Sequence, residues 1–169
     1  KSQPDYETKT SYSVTILSVD DGGKTLSKSF TVAVTDVNDA LILIVLAGGS
    51  VTEDAAANTI TGTLSASDPE GDSPSYSVLG STSTDGSYSV TGTYGTLVLN
   101  ASTGAYTYVL NNSATAVNAL KASDSKTESF SVQVTDGTNT PAAQSLSFTI
   151  QGANDTASIA GVTTGAVTE

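Results

Sequence analysis

The sequence predicts an all-β protein made of tandem antiparallel β-sandwiches with Greek-key connections, one complete and two partial. Three observations predict it. Apolar residues alternate with polar ones between turn-forming clusters, at Tyr12, Val14 and Ile16, at Phe30, Val32 and Val34, at Phe130, Val132 and Val134, and at Leu146, Phe148 and Ile150. A two-residue period is that of a strand with one buried face. Ser, Thr, Gly, Val and Ala dominate the composition, and Leu-rich helical runs are missing. The chain also repeats itself with an offset of 116 residues: Asp20 recurs as Asp136, Asn38-Asp39 as Asn154-Asp155, and Val51-Thr52-Glu53 as Val167-Thr168-Glu169. A period of that length is about one sandwich domain. It divides the chain into the end of one unit (1–39), a whole unit (40–155) and the start of a third (156–169).

The elements follow in order. Tyr12 to Ile16 reads as a strand, Asp20-Asp21-Gly22-Gly23 as a turn tolerant of positive φ, and Ser29 to Thr35 as the returning strand. Two strands cannot bury a core alone, so the first unit is expected to be completed by preceding residues or by another chain. Leu41 to Leu46 is a fully apolar run, with one face predicted in the core and the other in need of cover. Val51 to Asp54 reads as a short edge segment, and Ser67-Asp68-Pro69-Glu70-Gly71-Asp72 as an acidic loop. Strands are expected around Tyr76 and Val78, Tyr88 to Val90, Tyr94 to Leu99, and Ala105 to Val109. The spacing of Ala114, Val117 and Leu120 predicts one or two helical turns within Ser113 to Lys121. Phe130 to Val134 and Leu146 to Ile150 close the unit, which makes about seven strands.

Charge narrows the function. Six lysines face 17 acids, for a net charge of −11. Nucleic acid and anionic membrane surfaces need a basic face and are excluded as partners. No apolar stretch approaches the ~20 residues of a membrane-spanning helix, so membrane insertion is not expected. His, Cys, Met and Trp are all absent. Without imidazole or sulfur ligands a zinc, copper or haem site is not expected, and neither is a catalytic triad or thiol chemistry. No pocket is marked for a glycosidase-type carboxylate pair, and the chain is read as a non-enzyme. The lack of an initiator Met and of a signal peptide predicts a piece of a longer polypeptide.

What remains as metal ligands is oxygen. Thirteen of the acids fall in a few loop motifs, while the outward strand positions carry Ser and Thr. In a sandwich alternate loops gather at one end. Asp36-Val37-Asn38-Asp39, the Asp68 to Asp72 loop and Asp136 should then meet near the junction of two units. Carboxylates so crowded repel unless a cation sits among them. Calcium, which takes six to eight oxygens at about 2.3–2.6 Å, suits that set. Asp68-Pro69-Glu70-Gly71-Asp72 is not an EF-hand, because the sixth position is not Gly and the twelfth is Leu79. The tyrosines at 76, 88, 94, 106 and 108 read first as core or cross-strand partners and second as a glycan-binding platform. Asn-x-Ser/Thr matches at Asn100, Asn111 and Asn154 are expected by chance in so Ser/Thr-rich a chain.

These motifs resemble known repeats. Asp5-Tyr6-Glu7, Asp20 and Asp36-Val37-Asn38-Asp39 resemble the second half of a cadherin repeat. Gly49-Ser50-Val51-Thr52-Glu53-Asp54, Thr93-Tyr94-Gly95-Thr96-Leu97, Thr103-Gly104-Ala105-Tyr106-Thr107-Tyr108, Val134-Thr135-Asp136-Gly137 and Asn154-Asp155 resemble the VCBS repeat of bacterial RTX-type adhesins and other large surface proteins. The resemblance implies Ig-like or cadherin-like sandwiches at an extracellular or bacterial cell-surface location, with calcium between them. It assigns Asp5 and Glu7 from the first unit, Asp36, Asn38 (through its carbonyl) and Asp39 from the linker, and Asp68, Glu70 and Asp136 from the second unit. Asp72 is an added candidate. Asp20 is implied for an upstream junction, and Glu53 with Asn154 and Asp155 for a downstream one. One period on, Asp36 becomes Gly152, and Asp5 and Glu7 become Lys121 and Ser123, so the downstream junction is expected to bind less calcium or none. The expected function is a structural extender stiffened by calcium, its partners the neighbouring repeats. The alternatives are a filament subunit completed by other copies of the chain through strand donation and a glycan-binding module.

Overall fold

The computed structural model describes residues 3–45, 48–156 and 165. Val167-Thr168-Glu169, most of the expected third unit, and Leu46 lie outside the described residues. Thirteen strands are present in these segments: β1 (Ser11–Val19), β2 (Thr25–Ala33), β3 (Ile42–Ile44), β4 (Gly49–Thr52), β5 (Thr59–Thr63), β6 (Ser65–Ser67), β7 (Ser75–Val78), β8 (Ser83–Thr84), β9 (Ser87–Thr91), β10 (Gly95–Asn100), β11 (Ala105–Leu110), β12 (Ser125–Thr135) and β13 (Gln144–Gln151). The all-β class is as the alternation predicts.

After residue 40 two sheets face each other. One has the order β5-β11-β10-β9-β8, the other β4-β13-β12-β7, and β3 pairs with β6 at the side. All pairings are antiparallel except β13 with β4, where Ile150 lies beside Val51. Parity decides the faces. Phe130, Val132 and Val134 on β12 and Leu146, Phe148 and Ile150 on β13 point inward and are buried against Leu97, Leu99, Tyr106, Tyr108 and Leu110. Tyr108 stacks on Phe148 with ring centroids 4.2 Å apart and 10° between planes, and Phe130 meets Phe148 edge-on at 6.1 Å. Such aromatic pairs add about 0.5–1.5 kcal/mol each beyond the area they bury. The outward positions of β12 and β13 are Ser, Thr and Gln, and the Ser129 and Ser147 hydroxyls are 2.8 Å apart.

Several elements depart from expectation. No helix forms at Ser113 to Lys121. The segment is a chain of tight turns, with Ala114 N donating to Asn111 O and Leu120 N to Val117 O. Asn118 N donates to Ala114 O at 3.0 Å, a single helix-like bond that is not continued. Val117 and Leu120 are buried all the same, so the apolar spacing is met without a continuous helix. The unit has more strands than seven, in part because Asp85 (φ 50) and Gly86 (φ 74) close a tight hairpin between β8 and β9, a turn that requires positive φ at both positions. The apolar run splits into two faces: Leu41 and Leu43 are buried, as expected of the core face, while Ile42 and Ile44 on the other face are exposed.

A carboxylate lies within the sandwich. Glu128 on β12 is 7% exposed and accepts hydrogen bonds from three successive backbone amides, those of Thr93, Tyr94 (2.9 Å) and Gly95 (3.1 Å), and from the Tyr108 hydroxyl at 2.7 Å. It joins the β9–β10 turn to the opposite sheet. Burial, with the hydrogen bond to Glu128 adding to it, pushes the Tyr108 phenol well above its ordinary range.

The β1–β2 hairpin stands in front of this unit. Its register puts Tyr12 opposite Val32, Val14 opposite Phe30 and Ser18 opposite Leu26, so these residues share one face with Ile16. That face is solvent-exposed. The 116-residue period equates it with the core face of β12–β13, Val14 with Phe130 and Val32 with Phe148.

Candidate metal centre

The site lies where the hairpin meets the complete unit. Asp5, Tyr6 and Glu7 form a turn just ahead of β1, closed by Lys9 N donating to Asp5 O. Asp36 to Asp39 leave β2 and lead toward β3. Asp68 to Asp72 follow β6, and Asp136 follows β12. Four separate stretches of sequence therefore reach one region.

Three carboxylates converge there. One oxygen from each of Glu7, Asp36 and Glu70 lies within 4.8 Å of the other two. They come from the first unit, the connecting segment and the second unit. Asp68 Oδ2 and Glu70 Oε2 are buried without a hydrogen-bond partner. An ionised oxygen desolvated without a partner is costly. The donors are hard oxygens, and the orphaned ones fit the place a calcium ion would take. Bound there, a divalent cation would supply the charge that these carboxylates lack.

The other predicted residues divide into two groups. Asn38 and Asp39 are docked on the second unit: Asn38 Nδ2 donates to Asp136 Oδ2 at 3.0 Å, and Asp39 N to Glu70 Oε1 at 3.1 Å. Asn139, which no motif in the sequence marks, donates Nδ2 to Asn38 O (3.2 Å) and Asp39 O (3.0 Å). The remaining acids serve their own turns. Asp5 accepts from Glu7 N, Thr8 N and the Thr8 hydroxyl. Asp20 Oδ1 accepts from Gly22 N and Lys24 N, and Asp72 meets Asp68 only through its backbone amide. At the far end Glu53 is 2% exposed. Its Oε1 accepts from Ala153 N at 2.6 Å while its Oε2 is buried without a partner. Asn154 and Asp155 are exposed beside it, with Asn154 Nδ2 donating to Asp155 O.

The electrostatics follow the contacts. Hydrogen bonds, from Thr8 first, hold the Asp5 carboxyl below its ordinary value. Asn38 first, then the Asn139 amide, hold Asp136 below its own. Glu7 is shifted the other way: its own backbone amide pulls it down, but desolvation, Asp5 and the charges of Glu70 and Asp36 outweigh that and raise it. A proton therefore competes for Glu7 at a higher pH than for an ordinary glutamate. Calcium affinity is expected to be lower at about pH 5 than at about pH 7, because Glu7 gives up its negative charge to a proton sooner than an ordinary glutamate does. The fall should be shallower in Glu7→Gln. Calorimetric titrations at both pH values check this; equal pH slopes in the two proteins would remove Glu7 from the site.

The sequence matches the family described as bacterial cadherin-like domain over residues 38–152. No curated protein matches the chain. Among solved structures it is similar to protocadherin gamma B2 extracellular cadherin domains 3–6, at 21% identity and a TM-score of 0.50, covering 88% of this chain and 34% of that one. It is also similar to the protocadherin gammaB7 EC3-6 cis-dimer structure, at 23% identity and a TM-score of 0.50, covering 89% and 34%. The chain thus spans about a third of the length of these structures, and at such identities the likeness shows the fold. The family match falls on the unit that the motifs liken to a VCBS repeat. No helix among the described residues is long and apolar enough to cross a membrane.

Proposed function

Because the chain belongs to the bacterial cadherin-like domain family, we propose that it is an extender segment of a large extracellular bacterial adhesin or surface fibre, its joint stiffened by calcium. The observation that carries this reading is the convergence of Glu7, Asp36 and Glu70, one from each side of the joint and one from the segment between. A cation shared by the three would tie both units to the linker, and without it their charges push the units apart. Asp68, with its orphaned oxygen, would complete the set on the second unit, and Asp39 and Asp136 would hold the linker beside it. Asp5 and Asp72 take supporting roles here, since the Asp5 carboxylate caps its own turn and Asp72 is not among the converging acids; Asp20, in the turn between β1 and β2, is left to an upstream joint. The partners are neighbouring repeats of the same polypeptide, and the role is mechanical rather than catalytic. The likeness of the second unit to VCBS repeats, carried by its motifs, supports the cell-surface setting.

The test is thermal unfolding with calcium and with a chelator. A ligand that binds only the folded state stabilises by about 2.7 kcal/mol at 100 times Kd, and a shift of that order is expected. Glu70→Gln should abolish most of the shift, yet leave the chelated protein as stable as before or more so, because it removes one repelling charge and keeps an oxygen for Asp39 N. Coincident curves in calcium and chelator would sink the reading.

The exposed apolar face of the β1–β2 hairpin supports a second reading, in which another copy completes that half-sandwich to build a filament. Sedimentation separates the two: a discrete monomer favours the extender, a ladder of species the filament.

A further inference from the structure

We propose that the joint bends at Thr35, Asp36 and Val37, and that Asn38 and Asp39 are latched to the second unit by Asn139 without any metal. The last backbone hydrogen bond of the hairpin runs from Val34 N to Thr10 O at 2.9 Å. Among the described residues Thr35, Asp36 and Val37 make no hydrogen bond, and Val37 is 74% exposed. From Asn38 onward the chain is tied down. The Asn139 amide group spans two successive linker carbonyls, Asn38 O and Asp39 O. Asn38 in turn donates to Asp136, and Asp39 N to Glu70.

Asn139 is a positioning residue, and it is itself held in place. Its backbone N–H donates to Asp136 Oδ1 at 2.5 Å, and its carbonyl accepts from the Thr135 hydroxyl at 2.8 Å. Its backbone is therefore fixed before the amide group meets the linker, which leaves only side-chain torsions to be ordered. The family match begins at residue 38, so Asn38, the first latched residue, is also the first residue that the match covers. The latch shares Glu70 with the calcium reading through Asp39 N. Its own donor, the Asn139 amide group, is not among the converging carboxylates, and Asp36 is the member of that set which the latch leaves free.

Backbone nitrogen relaxation of the whole chain in chelator tests it. Residues 38 and 39 should show the order of β12, with order parameters near about 0.85, and residues 35–37 values below about 0.6. Asn139→Asp keeps the size and the turn but loses the donor. It should carry the mobility on through residues 38–40 while the spectrum of the core stays unchanged. Asn139→Ala, which adds no charge, should do the same. The proposal is overturned if residues 38 and 39 are as mobile as 35–37 in the parent protein, or if neither substitution loosens them. Both outcomes are measured on the chelated protein, so failure of calcium to order residues 35–37 would count against the calcium reading and leave the latch standing.

Discussion

Replacing Glu128 by Ala is expected to lower stability by about 4 kcal/mol, because it strands donors inside the sandwich. A buried donor left unsatisfied costs about 1–3 kcal/mol. The carboxylate serves four: the amides of Thr93, Tyr94 and Gly95 and the hydroxyl of Tyr108. Thr93 is exposed and can turn to water, but Gly95 and Tyr108 are buried, and Tyr94 lies between these extremes. Two full penalties, part of a third and some lost packing give the total. For a domain of this size each kcal/mol moves the midpoint by about 3–5 °C, so a fall of more than about 10 °C is expected in a melting curve. Two further variants fix the cause. Tyr108→Phe removes one donor and one interaction together and should cost about 1 kcal/mol. Glu128→Gln keeps one acceptor oxygen but sets an NH2 where the other stood, and should fall between. A loss below about 1 kcal/mol in Glu128→Ala would mean that water replaces the carboxylate and that the clamp adds nothing.

Glu128 also shows what can be read from the chain and what escapes. The strands are legible because inward and outward residues alternate. Glu128 has the same parity as Phe130, Val132 and Val134, so its inward position is open to the same reasoning. As an acid outside the loop motifs it draws no notice in a search for ligands, but the parity of a charged residue is the signal of a buried partner. The convergence at the joint is partly legible. Glu7, Asp36 and Glu70 belong to motifs whose loops share an end of the sandwich. Which acids turn toward that point is a different matter. Asp5, Asp20 and Asp136 each precede free backbone amides by two or three residues, and a carboxylate so placed caps its own turn. Spacing alone does not separate a capping Asp from a ligating one, because both sit at strand ends. The parallel pairing of β4 with β13 is not legible, since strand direction depends on a partner about a hundred residues away. The turns at Ser113 to Lys121 mark a similar limit. Apolar spacing reports which side is buried, and a run of successive turns satisfies it as well as a continuous helix does.

Gly152→Asp, which would rebuild the acidic linker motif of the first joint at the second, is expected to destabilise the protein by about 3 kcal/mol rather than create a metal site. Gly152 stands one period after Asp36, yet the two positions are not alike in space. Asp36 is exposed, while Gly152 is buried where β13 leaves the sheet. A Cβ there would lie 2.2 Å from Lys121 O and 2.9 Å from Leu120 Cβ. The first of these is backbone, which cannot swing aside as a side chain can. Gly152 N also donates to Asp124 O at 2.9 Å, a bond that must stretch if the Lys121 to Asp124 loop is pushed away. Overpacking of this kind costs about 1–3 kcal/mol, occasionally more, and the strained hydrogen bond adds about 1. Gly152→Ala separates sterics from charge, since the clash begins at Cβ: it should lose nearly as much as Gly152→Asp in a denaturant titration, with or without calcium. If Gly152→Asp instead gained a calcium-dependent rise in stability, the Lys121 to Asp124 loop would have to be free to move, and the loss of acids at the second joint would not be set by packing. If the two variants fail alike, the glycine is a requirement of this close approach. The two joints then differ because at the second the chain passes too near its own backbone for a ligand side chain to fit.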